Sequence, residues 1–126
     1  MKIYCCGCGQ DVDARLTNGL EIYPHRNDLG DIPFWKCDRC LNYVGTHHKT
    51  ANRNYPLGNI PTPELRNARQ HIHRILDPHW KSGRIKRKEC YARISKAVGY
   101  EYHTAQLKTV EEARAIYTLV KTLFPT

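Results

Sequence analysis

Long apolar runs are missing from this chain of 126 residues. None approaches the roughly 18 residues that a membrane-spanning helix needs, so a membrane-embedded role is not expected. The first cysteines arrive at positions 5 and 6, before any apolar signal core can form, and a secretory peptide is therefore not expected either. Acidic residues are scarce, with 12 Asp and Glu against 20 Lys and Arg, which leaves a formal net charge of +8. No glycine-rich phosphate loop, nucleophile elbow or zinc-protease motif occurs, which removes the common signatures of nucleotide hydrolysis, acyl transfer and metalloproteolysis. Internal repeats and low-complexity tracts are also absent. A charged fraction of 25% beside a hydrophobic fraction of 40% is that of a folded, globular chain.

The excess positive charge is concentrated. Residues 1–63 are close to neutral, and residues 97–126 carry three charges of each sign. Residues 64–96 carry ten basic side chains against Glu64, Asp77 and Glu89, and so hold +7 of the total. Such an asymmetry is the electrostatic footprint of a polyanion binder. Its densest part supplies the candidate phosphate contacts Arg84, Lys86, Arg87, Lys88 and Arg93, with Arg66, Arg69, Arg74 and Lys81 as possible extensions. A solvated helical face would carry the same charges without binding anything.

Six cysteines are the second concentration of signal. Cys5 and Cys8, and again Cys37 and Cys40, are separated by two residues. That spacing lets a tight knuckle aim two sulfurs at one ion, and two knuckles complete a closed tetrahedral site with Zn–S of about 2.3 Å. Four thiolates leave no open position for substrate or water, so the expected cofactor is one structural zinc ion. Zinc binding should supply much of the folding energy of the hairpins it joins. Two disulfides are the competing reading, disfavoured by the expected reducing compartment. Cys6 is an alternative to Cys5 at the first knuckle, and Cys90 stands alone as a partly buried thiol.

The expected fold class is α+β, with an N-terminal four-cysteine zinc ribbon of short antiparallel strands packed against about three C-terminal helices. The expected organisation is a ribbon module over 1–48, a polar linker over 49–61 and a basic helical part over 62–126, with ribbon and helices forming one compact unit. Strands are expected at Lys2–Tyr4, Val12–Leu16, Leu20–Tyr23, Phe34–Lys36 and Leu41–His47. Thr17-Asn18-Gly19 reads as a hairpin turn and residues 24–33 as a loop. Thr62, Pro63 and Glu64 open the first helix, which Pro78 should end near Asp77, while Asp77-Pro78-His79-Trp80 offers the start of one more turn, closed by Gly83. Lys86–Val98 reads as the second helix, with Tyr91, Ile94, Ala97 and Val98 inward and Gly99 as its cap. Residues 100–107 read as extended. The third helix spans Val110–Leu123, with Thr109 and Glu112 at capping-box spacing.

Several of these segments together resemble a zinc-finger-containing family of small proteins found mostly in bacteriophages and prophages. The resemblance begins with Cys5-x-x-Cys8-Gly9, Glu21-Ile22-Tyr23-Pro24 and Arg26-x-Asp28-Leu29. It continues through Phe34-Trp35-x-Cys37-x-x-Cys40, Tyr43-Val44-Gly45-x-His47 and Pro56-Leu57-Gly58. Leu65-Arg66, His73-x-x-x-Asp77-Pro78-x-Trp80, Tyr91 and His103 complete it, in collinear order over nearly the whole chain. It implies zinc binding and a phage or prophage origin, and brings no known activity. Thr46 and Glu101-Tyr102 depart from it, standing where cysteines look usual in the family.

Seven histidines are many for this length. His47, His73, Asp77 and His103 are the candidates for a catalytic or second metal site, which would make the chain a metal-dependent nuclease. The simpler reading takes precedence: His73 and Asp77 share a helix face and hydrogen-bond each other, and His47 packs beside the linker. Most aromatic rings are expected in the core. Tyr55, in the linker beside Arg53, is expected to fold over the core rather than stack on an unpaired base. The expected function is that of a non-enzymatic accessory protein binding nucleic acid, DNA ahead of RNA, through the basic helical patch in the bacterial cytoplasm. The alternative is an interaction module acting on a host or phage protein.

Overall fold

The structure is a computed structural model and describes residues 1–125. Chain contacts divide it into two compact units, Met1–Pro63 and Glu64–Thr126. It is an α+β protein: the first unit holds two small antiparallel sheets, and the second is built on three helices.

In the first unit, Lys2–Cys5 (β1) and Gln10–Asp13 (β2) form a two-stranded hairpin with Ile3 opposite Val12. Arg15–Asn18 (β3), Pro33–Lys36 (β4) and Tyr43–Gly45 (β5) form a three-stranded sheet in the order β3-β4-β5. The continuous strand expected over Val12–Leu16 is therefore split. Ala14 is buried at the break, and its N–H donates to the Met1 carbonyl at 2.9 Å. Residues on either side of it serve different sheets.

The turn expected at Thr17-Asn18-Gly19 and the strand expected at Leu20–Tyr23 are replaced by a short helix, Gly19–Ile22 (α1). Asn18 has an extended backbone, and its side chain accepts from the Leu20 N–H at 3.1 Å, so it acts as a helix cap rather than a hairpin corner. Asparagine serves both roles because its side chain imitates a backbone acceptor. The partner of β3 is instead β4, with Leu16 opposite Trp35 and Thr17 opposite Phe34. Gly19 makes this possible: its N–H donates to Ile32 O at 3.0 Å, and a Cβ at this position would stand 1.7 Å from the Leu29 carbonyl oxygen. Tyr23, Phe34 and Tyr43 meet edge to face with ring centroids 5.6 to 5.9 Å apart, and the two tyrosine hydroxyls lie 2.6 Å apart. The expected loop of residues 24–33 contains a 3-10 turn at Asn27–Leu29.

Part of the segment expected as a linker is tied back to the first unit. Leu57 N–H donates to Gly45 O at 3.0 Å, and Ile60 N–H donates to Tyr4 O at 2.9 Å. Cys6 N–H donates to Ile60 O at 2.8 Å, and the Ile60 side chain is fully buried.

In the second unit, Pro63–Lys81 (α2) runs through Pro78, four residues beyond the expected stop at Asp77. A proline inside a helix forfeits one N–H bond and crowds the preceding turn. The added turn brings its own contacts: Trp80 Nε1 donates to Asp77 Oδ1 at 3.1 Å, and the His79 ring lies 5.4 Å from that of Phe124. The buried face of α2 is Leu65, Arg69, Ile72 and Leu76, and Arg69 Nη2 donates to Leu107 O at 2.5 Å. Arg87–Val98 (α3) buries Cys90 and Ile94, while Ala97, expected inside, is exposed. Gly99 closes α3 in the left-handed region, φ +85°. A 3-10 turn at Thr104–Gln106 interrupts the segment expected to be extended. Val110–Leu123 (α4) has the expected bounds, buries Ala113, Ile116 and Val120, and is capped by Thr109, whose side chain accepts from Glu112 N–H at 3.1 Å.

Gly19→Ala is expected to destabilise the first unit by about 3 kcal/mol or more, because the obstructing atom is backbone and cannot swing aside. Chemical denaturation of the zinc-loaded protein measures it, and a loss below about 0.5 kcal/mol would contradict the close approach.

Candidate zinc centre and basic surface

The turn of the β1–β2 hairpin and the turn between β4 and β5 each present one cysteine pair. In the first, Gly9 N–H donates to Cys5 O at 2.8 Å; in the second, Leu41 N–H donates to Cys37 O at 2.8 Å. The two knuckles thus close with the same hydrogen bond. Both need a left-handed residue just after the second cysteine, and Gly9 has φ +70° and Leu41 φ +64°. Glycine adopts this conformation freely, whereas leucine is strained there by roughly 1–2 kcal/mol. The Leu41 side chain recovers little of that by burial, being 63% exposed.

The sulfurs of Cys5, Cys8, Cys37 and Cys40 lie within 4.8 Å of one another. Cys5 and Cys40 are 3.2 Å apart and Cys8 and Cys37 3.7 Å. A tetrahedron with Zn–S of about 2.3 Å has sulfur–sulfur edges of about 3.8 Å, so the donor set and its spacing fit one zinc ion. Cys6, the alternative to Cys5, lies outside the group, as does Cys90, which is fully buried rather than partly so. No disulfide joins cysteines among the described residues.

The centre is also the core of the first unit. Cys5 and Cys37 are buried with Ile3, Ala14, Val44 and Ile60, and Val12 and Trp35 pack against the same cluster. Burial, and after it the sulfur of Cys40, pushes the Cys5 thiol well up. Burial would raise Cys37 too, but the backbone N–H groups of Cys40 and Arg39 and the neighbouring sulfurs outweigh it and bring that thiol down to about 7. A knuckle whose N–H groups point at sulfur stabilises the thiolate form, which is the form zinc binds. Beside it, Arg15 bridges Glu21 and Asp38 at 2.8 Å each, and Lys36 reaches Glu21 at 2.8 Å. Arg15 first, then Lys36 and Thr17, hold the Glu21 carboxyl well below the usual carboxylate range. This network links α1 to the second knuckle on an exposed surface, where solvent screens it.

The remaining candidates divide. His73 Nδ1 and Asp77 Oδ1 are 3.2 Å apart on α2. His103 Nε2 lies 3.1 Å from Glu101 Oε1, and the exposed His47 has its ring 6.0 Å from Tyr55. Tyr55 does not fold over the core; it is 59% exposed. Among the described residues, the four cysteines are the one group of three or more such side chains with metal-holding geometry. The two departures from the resembling pattern carry structural bonds instead: buried Thr46 donates to Pro33 O at 3.0 Å, and the buried Tyr102 hydroxyl lies 2.8 Å from Thr104 Oγ1.

Of the basic candidates, Arg84 lies in the turn between α2 and α3, Lys86 caps α3, and Arg87 and Lys88 form its first turn; all four are exposed. Arg93 is engaged, with Nη2 2.9 Å from Glu89 and its guanidinium 5.7 Å from the Phe124 ring. Arg87 lies over two rings, 4.5 Å from Tyr91 and 5.7 Å from Trp80. The sequence reading did not single out this aromatic column, although Arg87 and Tyr91 stand one helical turn apart. No helix among the described residues is long and apolar enough to cross a membrane.

Three outcomes are expected of the zinc centre. The purified protein holds one zinc per chain by elemental analysis, and Cys6→Ser and Cys90→Ser keep it, whereas Cys8→Ser and Cys40→Ser lose it together with the fold of the first unit. Retained zinc in the Cys40 variant would contradict the ligand set. Leu41→Gly, which relieves a left-handed leucine, is expected to gain up to about 1 kcal/mol, and Gly9→Ala to lose about 1 kcal/mol, by denaturant titration of the zinc-loaded forms.

No curated protein and no solved structure matches the chain. The model of one family does match, over residues 1–122, and its description as a zinc-finger-containing domain agrees with the four-thiolate geometry. With nearly its whole length covered and the cysteine cluster in place, the chain belongs to this family of zinc-finger-containing domains.

Proposed function

We propose that the chain is a zinc-stabilised, non-enzymatic accessory protein of phage or prophage type that binds nucleic acid through the basic surface at the start of α3. It would act in the cytoplasm of a bacterial host. The observation that carries the reading is the placement of charge. Lys86, Arg87 and Lys88 occupy the cap and first turn of α3, followed by Glu89 as the one acidic residue there. The positive end of a helix dipole favours acidic side chains and is opposed by cations. Three successive cations at that end, with Arg84 just before them, therefore work against the helix and gain their compensation from an external anion. A phosphate backbone fits, since both the side chains and the N-terminal N–H groups attract it. Contacts of this kind give affinity and salt dependence rather than sequence reading.

A protein partner is the second reading, favoured by a different observation. Leu16, Leu20, Leu41 and Tyr55 expose large apolar area on the first unit. Capture of one specific protein from a nuclease-treated host lysate, lost on Leu41→Asp, would support it; no specific capture would count against it.

The test of the first reading is fluorescence anisotropy with labelled DNA across a salt series. Micromolar or tighter binding at physiological salt is expected, weakening log-linearly as salt rises. Reversing Lys86, Arg87 and Lys88 to Glu should abolish it with zinc content intact. Acidic residues at these positions suit the helix dipole, so the loss does not come from unfolding α3. Unchanged binding in the reversed protein would overturn the reading.

A further inference from the structure

The second unit carries an ordered column of rings and a cation that a phosphate-binding surface alone does not require. It starts inside, at the buried Tyr102, whose ring stacks on Tyr91 with centroids 5.7 Å apart and planes 22° apart. The Arg87 guanidinium follows 4.5 Å from the Tyr91 ring and 5.7 Å from the Trp80 ring. Lys81 Nζ stands 5.6 Å from the same indole. The column thus runs from a buried ring to a half-buried tryptophan with two cations near its ring, followed in the chain by the exposed Arg84, Lys86 and Lys88.

The indole is held in place. Its Nε1 donates to Asp77 Oδ1 at 3.1 Å, and the same carboxylate oxygen lies 3.2 Å from His73 Nδ1. One carboxylate oxygen of Asp77 thus takes both contacts, which ties His73 and Asp77 to the placement of Trp80. Fixing the indole by its one polar atom orients a surface aromatic ring at the cost of ordering it beforehand, which lowers the cost of stacking something on it later.

We infer that Trp80, with Arg87 beside it, is a stacking platform for an unpaired base, so that the nucleic acid bound at this surface is single-stranded. The inference rests on the phosphate-binding reading above and adds the strand state to it. In a duplex the faces of each base are covered by its neighbours, and only phosphates and groove edges reach a protein surface. An unpaired strand offers base faces at intervals between phosphates. A ring set among cations matches that alternation, and aromatic stacking is the recurrent device of single-strand binders. Lys86 and Lys88 hold phosphates on this account, while the Trp80 indole takes a base.

The experiment compares wild type, Trp80→Leu and Trp80→Phe in anisotropy titrations with a labelled oligothymidine, an oligouridine and a duplex of the same length at one salt concentration. Leucine keeps apolar volume without a π face, and phenylalanine keeps the face; thermal melts of all three establish that the second unit is folded. The expected result is tighter binding of a single strand than of the duplex. That preference falls about tenfold in Trp80→Leu and is largely restored in Trp80→Phe, with duplex binding unchanged. Equal loss on single strand and duplex, or no loss on either, would overturn the platform while leaving phosphate binding standing. If wild type binds none of the three probes, the phosphate-binding reading itself fails and takes the platform with it. If Trp80→Leu does not fold, the Trp80→Phe titration and quenching of tryptophan emission by oligothymidine in Trp35→Phe decide: absent quenching overturns the inference.

Discussion

Four sulfur atoms hold the first unit together. Each of its two sheets has only two or three strands of three or four residues, and neither has the apolar area to be stable alone. The cysteines sit at the two turns and are themselves part of the small core, with Ile3, Ala14, Val44 and Ile60 around them. One zinc ion therefore performs two tasks. It joins the hairpin to the sheet, and it allows two of its ligands to be buried without leaving thiolates unpaired. Being closed, the site has no position left for chemistry, which agrees with a structural rather than catalytic metal.

The second unit presents the opposite arrangement, in which an unfavourable local choice is left standing. Apolar faces on α2, α3 and α4 and the Thr109 cap obey the ordinary rules of helix formation. The start of α3 breaks them with three consecutive cations. Three consecutive cations on an exposed surface, at the helix end where they oppose the dipole, are the ground on which we propose that surface as the functional one. The same reasoning applies to Leu41 in the first unit, a leucine held in a glycine's conformation with its side chain outward.

What was legible in the sequence was whatever short spacing decides. The two cysteine pairs, the Gly99 cap and both ends of α4 follow from residues within a turn of each other, and they stand in the structure as read. The outcome at Asn18-Gly19 was not decided locally, because an asparagine before glycine caps a helix as readily as it turns a hairpin. The choice was made by the close approach of Gly19 to Leu29 and by β4 taking the place beside β3. Ile60 reads as part of a polar linker because its partners, Tyr4 and Cys6, lie more than fifty residues earlier in the chain. Pro78 reads as a helix stop, and the turn that carries α2 past it draws on Trp80 and His79, whose contacts reach Asp77 and Phe124. Within the candidate sites the four-cysteine cluster was legible. The Tyr91–Arg87–Trp80 column was not, because it needs the α2–α3 turn to bring its outer ring alongside.

The claim on which the account turns is that four cysteines, two from each knuckle, hold a single zinc ion. X-ray absorption at the zinc K-edge of the purified protein tests it most directly. The account predicts a first coordination shell of four sulfurs at about 2.3 Å with no nitrogen or oxygen scatterer. A shell of mixed sulfur and nitrogen, which would bring a histidine or water to the metal, would contradict it.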